Sequence, residues 1–280
     1  SYTIYLHEGA FYGCSGLTGT LTIPESILTI GQYCFRYCSS FSKLVFDLNS
    51  NLKYIDAYSF EGCTGFKGDL VIPSKVEKID DYAFAHCSGF NGSLSFEDTI
   101  KTISIGAFSK CSGFSKLLFS PTSNITINDR AFEDCSGFRG PLTLPDKITD
   151  IGRSAFRYCS GFDKLIPPSS LKIVQDRTFY YCSGFKGEFI FASYEEIRTA
   201  AFCGCSGFSG TLVLLDILYY DHVFENCTGF TSLDLITYNI VHINNHMFKG
   251  CTGLNDKIQF AINSTIWENA FEGCSNIKEI

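Results

Sequence analysis

The chain has 280 residues, of which 45% are hydrophobic and 18% are charged, so it contains enough apolar side chains to bury a continuous core. Its 22 Lys and Arg residues are outnumbered by 29 Asp and Glu residues, which gives a net charge of −7. The sequence shows no basic run and no face rich in Lys and Arg, which argues against a nucleic acid or an anionic membrane surface as partner. No apolar stretch approaches the ~20 residues of a transmembrane helix, so we expect no membrane span in this segment.

A cysteine recurs along the whole chain at intervals of 22 to 25 residues. Each of these twelve cysteines has Phe three residues before it and an apolar residue three after it, and ten have Gly two after it. They are Cys14, Cys38, Cys63, Cys87, Cys111, Cys135, Cys159, Cys182, Cys205, Cys227, Cys251 and Cys274. A fixed period in this range is typical of a solenoid whose coils pack on their neighbours. The sequence therefore predicts a single solenoid of about twelve coils over residues 1–280.

One coil can be followed in chain order from Cys135. Apolar and other residues alternate over 141–144, which predicts a strand with one buried face, and Pro145 ends it. Ile148 and Ile151 predict a second short extended piece. Residues 155–159 (AFRYC) then bring the next Phe and Cys inward, on what we expect to be one helical or 3₁₀ turn. Stacked coils would place equivalent strands side by side in parallel, roughly 4.8 Å apart.

The repeat has two lengths. The first buried strand residue lies seven residues after the cysteine in seven coils and six residues after it in four. Six of the seven longer coils carry a glycine five residues after the cysteine, namely Gly19, Gly68, Gly92, Gly140, Gly187 and Gly210. This pattern predicts a bulge that takes up the extra residue and keeps the next Leu facing inward.

The recurring pattern AF-x-x-C-S-G-F-x-G-x-L-x-I-P-x-x-I-x-x-I-G, seen over 83–105 and 131–151, resembles the BspA-type (Treponema pallidum-type) leucine-rich repeat. The resemblance covers all 280 residues, and its CSGF-x-G form looks most like the repeats of trichomonad protists. It implies an α/β leucine-rich-repeat solenoid, mostly β, with parallel strands and short helical or 3₁₀ turns. It also implies a surface protein that adheres to host cells, matrix proteins or other microbes, and it brings no catalytic residues. The sequence departs from the pattern in two places. Ser40 replaces the usual Gly, and residues 193–202 lack the usual Ile–Gly step.

The ends of the sequence show no distinct polar cap of the kind that terminal repeats of a solenoid normally carry. We therefore expect the chain to be a fragment of a longer polypeptide.

The recurring cysteines are expected to form a column along the solenoid axis. We interpret them as a ladder of buried thiols, because free Cys packs as a small hydrophobe and offers weak hydrogen bonds. Disulfides between neighbouring coils are an alternative, although parallel in-register side chains would keep the Cβ atoms further apart than the ~3.8 Å mean of a disulfide. A metal site is a weaker alternative, since no C-x-x-C pair occurs. Cys34 and Cys203 lie outside the column and are interpreted as small packing residues, and most coils have Ala at the position of Cys34.

No other chemistry stands out, and we expect neither a catalytic set nor a cofactor. His242 and His246 have a spacing that would suit a metal on a helix, but Ile243 belongs to the extended part of the repeat. A regular solenoid supplies an extended surface of strands and no convergent pocket.

The outward strand positions supply the candidate binding surface. One column of them is unusually apolar for a solvent-facing row and is predicted to bind a protein or glycan partner. Its members are Thr22, Val45, Val71, Ser95, Leu118, Thr143, Ile166, Ile190, Val213, Asp234 and Gln259. The alternative is that the β-branched residues serve strand propensity alone.

Two functional hypotheses remain open. The first is a cell-surface or secreted adhesion and recognition module that binds a protein or glycan on another cell or in the matrix, favoured by the family resemblance and by four N-x-S/T motifs. The second is a cytoplasmic scaffold for protein–protein interaction, favoured by cysteines kept reduced.

Overall fold

The computed structural model of the chain describes residues 4–191, 193–236, 242–261 and 264–280. These residues contain twenty short strands. In chain order they are β1 (Ile4–Leu6), β2 (Gly19–Ile23), β3 (Ile27–Ile30), β4 (Phe41–Phe46), β5 (Tyr54–Ile55), β6 (Leu70–Val71), β7 (Lys78–Ile79), β8 (Ser93–Phe96), β9 (Thr102–Ile103), β10 (Lys116–Phe119), β11 (Thr126–Ile127), β12 (Pro141–Thr143), β13 (Lys164–Ile166), β14 (Ile173–Val174), β15 (Glu196–Ile197), β16 (Gly210–Val213), β17 (Leu218–Tyr219), β18 (Phe230–Asp234), β19 (His242–Ile243) and β20 (Thr265–Ile266).

The strands form two walls of a parallel β-solenoid, which confirms the predicted solenoid of parallel strands. Wall A contains the strands that follow each cysteine, paired as β2–β4, β6–β8–β10, β12–β13 and β16–β18. Wall B contains the second extended pieces, in the order β1–β3–β5–β7–β9–β11, β14–β15–β17 and β19–β20. All of these pairs are parallel. The solenoid has about eleven turns. One turn is counted from each recurring cysteine to the next, and twelve such cysteines give eleven turns.

The prediction of a helical or 3₁₀ turn before each cysteine is wrong, because no helix of either kind occurs among the described residues. Before Cys159, alternate N–H groups donate to the carbonyl three residues earlier at 3.1–3.3 Å, namely those of Ala155, Arg157 and Cys159. The N–H groups between them donate to carbonyls of the next coil at 2.8–3.0 Å, namely those of Ser154, Phe156 and Tyr158. A helix keeps its N–H bonds within its own segment. Sharing them between coils produces successive tight turns instead, with left-handed φ values of 57° at Ser154 and 59° at Tyr158.

An irregularity occurs where two of the longer coils pair with shorter ones, but the extra residue lies on the shorter coil, at Ser42 and Thr231, and not on the longer coil as predicted. The register shifts between Gly19 and Thr20 on β2, and the φ of Gly19 is +81°. An equivalent shift follows Gly210 on β16, where φ is +82°. Glycine adopts this left-handed conformation without steric cost. After each shift the buried leucines are again opposite each other, Leu21 beside Leu44 and Leu212 beside Leu233.

The core between the walls is filled by aromatic columns. Phe132, three residues before its cysteine, stacks between Phe108 and Phe156 with ring centroids 5.6 and 5.3 Å away. A second column of Phe rings follows the cysteines, as in the pair Phe138 and Phe162 at 5.1 Å. The largest fully buried side chains are all phenylalanines of these two columns. Each ring is therefore buried by the coils on either side of it.

Candidate functional site

The twelve cysteines form a column, ten of them buried and Cys14 and Cys274 half-buried, and all fourteen cysteines of the chain are free. From Cys38 onward, each thiol of the column donates to the carbonyl of a Phe in the preceding coil at 3.0–3.2 Å. Phe108 illustrates the arrangement, since its carbonyl accepts both the N–H of Cys111 in its own coil and the thiol of Cys135 in the next. The thiol therefore occupies an acceptor site that Ala or Val at this position would leave open.

Burial controls the chemistry of these thiols. It raises the pKa of Cys111 to about 12 and raises the pKa of its neighbours Cys87 and Cys135 well above the usual range. Burial also raises the pKa of Cys34 and of Cys203 to about 12. The thiolate is the form that acts as nucleophile and metal ligand. The column thus has a packing and hydrogen-bonding role near neutral pH.

No group of three or more His, Cys, Asp or Glu side chains is arranged to hold a metal ion in the described part of the chain. His242 lies on strand β19, and His246 follows in the turn with a φ of +55°. The two histidines are therefore not on one helical face.

We expect thiol reagents to discriminate between the cysteines of the native protein. Cys14 should react first and Cys274 next, because they are half-buried, and the other thiols should react only after denaturation. The rate of labelling of each cysteine, followed by mass spectrometry with and without denaturant, measures this. Fourteen reactive thiols in the native state, or none after unfolding, would each contradict a buried ladder of free thiols.

We also expect stability to fall steeply in alkali. The folded state holds thiol protons up to about pH 12, as at Cys111, whereas unfolded thiols release theirs near pH ~8.5. Each such thiol therefore contributes stability that is complete below ~8.5 and lost as the pH rises toward 12, with a slope of up to about 1.4 kcal/mol per pH unit. Denaturant melts between pH 7 and 11 test this. A C111A/C135A variant should show a shallower pH dependence, and an unchanged slope would refute the expectation.

The outward column of wall A is brought together by strand register. Thr22 pairs with Val45, and Val71 with Ser95. The same holds further along for the pairs Ser95 with Leu118, Thr143 with Ile166, and Val213 with Asp234. Ile190 and Gln259 are exposed but lie outside the assigned strands.

Six apolar members of this column form what we call the apolar stripe, namely Val45, Val71, Leu118, Ile166, Ile190 and Val213. Val45 is half-buried, whereas the other five are 36–58% exposed. Large apolar side chains are usually buried, so five of them exposed along one solvent-facing strand surface are unusual.

Shallow grooves open on the same face where the pairing of wall A is interrupted. One groove of about 490 Å³ lies between β10 and β13, and its lining includes Leu118, Pro141 and Ile166. Another of about 550 Å³ lies beside Leu165 and Ile190, where residues 188–190 leave the strand ladder. Apolar side chains of the stripe thus contribute to both grooves.

The structure also reveals a basic row that the sequence analysis missed. Six cations lie at the edge of wall A where its strands begin, namely Lys43, Lys67, Lys116, Arg139, Lys164 and Lys186. They escaped notice because they are one or two repeats apart, four residues after the cysteine in some coils and five in others. Counted from the buried residue of wall A, they lie one residue before it in the shorter coils and three before it in the longer coils.

Within the described residues, no helix is long and apolar enough to cross a membrane.

Comparison with known proteins identifies the repeat. A family model described as "BspA type Leucine rich repeat region (6 copies)" matches residues 1–91, 91–209 and 218–280. A search of curated proteins finds no significant match.

Three of the solved structures similar to this chain come from bacteria. A leucine-rich repeat protein from Bacteroides ovatus is 23% identical, with a TM-score of 0.83 over 99% of this chain and 70% of that one. A leucine rich cell surface protein from Faecalibacterium prausnitzii is 20% identical, with a TM-score of 0.64 over 98% and 75%. A leucine-rich repeat protein of T. pallidum is 24% identical, with a TM-score of 0.50 over 56% and 70%.

Proposed function

This chain belongs to the BspA-type leucine-rich-repeat family, and from that premise we propose that it is a non-catalytic binding module of the cell surface. It acts in adhesion or recognition, and the outer face of wall A binds a protein or glycan on another cell or in the matrix. The observation that carries the proposal is the apolar stripe, which is interrupted by Ser95 and Thr143 and is exposed from Val71 to Val213. Exposed apolar residues that recur along one face of a solenoid favour a role in partner binding.

The surface location is supported by one of the similar structures, which is named a cell surface protein. The fourteen free cysteines favour the second candidate function, a scaffold in a reducing compartment. Antibody staining of intact and permeabilised source cells separates the two. Staining of intact cells supports the surface module, whereas staining only after permeabilisation favours the scaffold.

The binding face is tested by placing charge on the stripe. We expect a V71E/I190E/V213E variant to fold, because these side chains are 36–58% exposed, and to lose binding to matrix proteins and glycans that retain the wild-type protein on an array. The matched control is Y54E/T126E/L218E, which adds the same charge at exposed positions of wall B. A stripe variant that folds and binds undiminished would exclude wall A as the binding face.

A further inference from the structure

We propose that the partner of wall A is a linear anionic glycan that lies along the solenoid axis, with its acidic groups on the basic row and its sugar rings against the apolar stripe. This inference rests on the proposed function and names the class of ligand.

The cations of the basic row differ from most other cations of the described surface in having no carboxylate partner. Ten Lys and Arg side chains elsewhere form ion pairs, for example Arg36 with Glu61 at 2.6 Å and Lys249 with Glu272 at 2.8 Å. None of the six cations of the row is in such a pair, and all six are exposed. The Arg139 guanidinium donates to the carbonyls of Ser136 and Phe138 at 2.8 Å, which holds it against its own coil. The charge of the five lysines is available to an external anion.

The spacing of the row follows the coil repeat. Backbone hydrogen bonds join neighbouring coils at this edge, from the N–H of Arg139 to the carbonyl of Ser115 at 2.8 Å and from the N–H of Lys186 to that of Asp163 at 2.9 Å. Four successive coils thus present one cation each, at Lys116, Arg139, Lys164 and Lys186. Successive strands are ~4.8 Å apart, which is close to the length of one pyranose unit. The cations are staggered along the strands, since Lys164 lies opposite Pro141, two residues beyond Arg139. A flexible polymer with acidic groups on successive or alternate sugars would match their spacing along the axis.

The charge of wall A changes sign from one edge to the other. Three carboxylates accompany the six cations, at Asp69, Asp163 and Glu188, so the edge carries 6 − 3 = +3 on a chain whose net charge is −7. Asp69 also accepts the N–H of Ser93 at 2.6 Å.

The opposite edge, where the strands end, is acidic. It carries six carboxylates at Glu25, Asp47, Glu97, Asp98, Asp146 and Asp216, and two cations at Lys75 and Lys147, for 2 − 6 = −4. This edge would repel a polyanion, so such a ligand is held to the basic row and oriented along the axis.

The two grooves provide the apolar contact that sugar rings need. Lys116 and Arg139 flank the groove that contains Pro141 and Ile166. Lys164 and Lys186 flank the groove that contains Ile190. The C–H faces of sugar rings can therefore rest on apolar side chains while their acidic groups reach ammonium groups at the rim.

Two features favour a glycan over an acidic peptide. Five of the six cations are Lys, a point charge that tolerates irregular anion placement, whereas planar carboxylate recognition favours Arg. The strands of wall A also run across the solenoid axis, so a peptide lying along that axis would find no strand edge to extend.

The test uses heparin as a sulfated glycan probe, with polyglutamate and duplex DNA as the competing polyanions. We expect the wild-type protein to bind immobilised heparin, to bind it more tightly than the other two, and to lose affinity as salt increases. A K116E/K164E/K186E variant should bind at least tenfold more weakly. The control K53E/K110E/R177E changes the net charge from −7 by the same 3 × 2 = 6 units at exposed cations outside wall A, and it should bind within twofold of wild type. Circular dichroism and melting temperature verify that both variants fold.

The inference is overturned if the wild-type protein does not bind heparin, if both variants lose affinity equally, or if polyglutamate or DNA binds more tightly. Its failure is distinguishable from that of the proposed function. If a partner on the array binds the wild-type protein and the K116E/K164E/K186E variant but not the stripe variant, wall A is still the binding face, and the anionic glycan is not its ligand.

Discussion

Gly137→Ala is expected to destabilise the protein by about 3 kcal/mol or more, at the upper end of the range for overpacking a closed site. Gly137 lies two residues after Cys135, and a Cβ at this position would be 2.1 Å from the carbonyl oxygen of Ser112 and 2.7 Å from that of Phe114. Both atoms belong to the backbone of the preceding coil, so they cannot rotate away as a flexible side chain would. Relief requires the two coils to separate, which would weaken the packing and hydrogen bonds between them.

The chain contains a matched control in Gly16→Ala. Gly16 occupies the same position after Cys14, but a Cβ there would meet nothing within 4 Å. The φ of neither glycine is positive, so Ala is compatible with the backbone at both positions. We expect Gly16→Ala to be neutral, or to stabilise by up to ~0.4–1 kcal/mol because it restricts the unfolded chain.

Chemical denaturation of the two variants measures the contrast. Equal stabilities would show that the recurring glycine does not serve the close approach of coils.

The two walls, and which side chains of each strand are buried, could be predicted from the sequence because they follow from its periodicity. Alternation around Leu142 determines which side of a strand is buried, and the glycine five residues after the cysteine marks a left-handed turn at the start of the strand in coils such as that of Gly19. These features depend on residue types with narrow conformational preferences.

The turns before the cysteines could not be predicted in the same way. Their left-handed positions are occupied by Tyr33, Arg130, Ser154 and His222, as well as by glycine. A non-glycine residue with positive φ carries no clear sequence signal. The hydrogen bonds that stabilise this conformation come from the next coil, about 24 residues away, so local propensity favoured a helical turn that the stacked coils replace.

The candidate site was predictable only in part, for a related reason. The stripe residues such as Val71 and Leu118 occupy one strand position and could be found by counting. The basic row occupies two different offsets from the cysteine, five residues at Lys164 and four at Lys186, so a count at one offset finds only part of it. Its lack of ion-pair partners depends on side-chain placement, which no count along the chain supplies.

The second large effect is expected for Phe132→Ala, at about 3–5 kcal/mol of local stability. Phe132 is fully buried, and its ring stacks on those of Phe108 and Phe156 and meets Phe138 edge-on at 6.4 Å. Truncation would leave a cavity lined by rings that are themselves fixed by the next coils, so collapse around it is limited. Phe132→Leu, which retains most of the volume, should cost less than about 1.5 kcal/mol.

The location of the loss is as informative as its size. Contacts in a solenoid are between nearest neighbours, so protection from amide hydrogen exchange should fall in the coils of Cys111, Cys135 and Cys159 and persist further away. Phe11→Ala is the control, because Phe11 is 37% exposed and stacks on one ring, that of Phe35 at 5.1 Å; its loss should be smaller and limited to the first coils. Uniform loss of protection along the whole array after Phe132→Ala would mean that the coils unfold as one cooperative unit. Stability would then be a property of the entire solenoid, and a binding face such as wall A could not loosen locally to fit a partner.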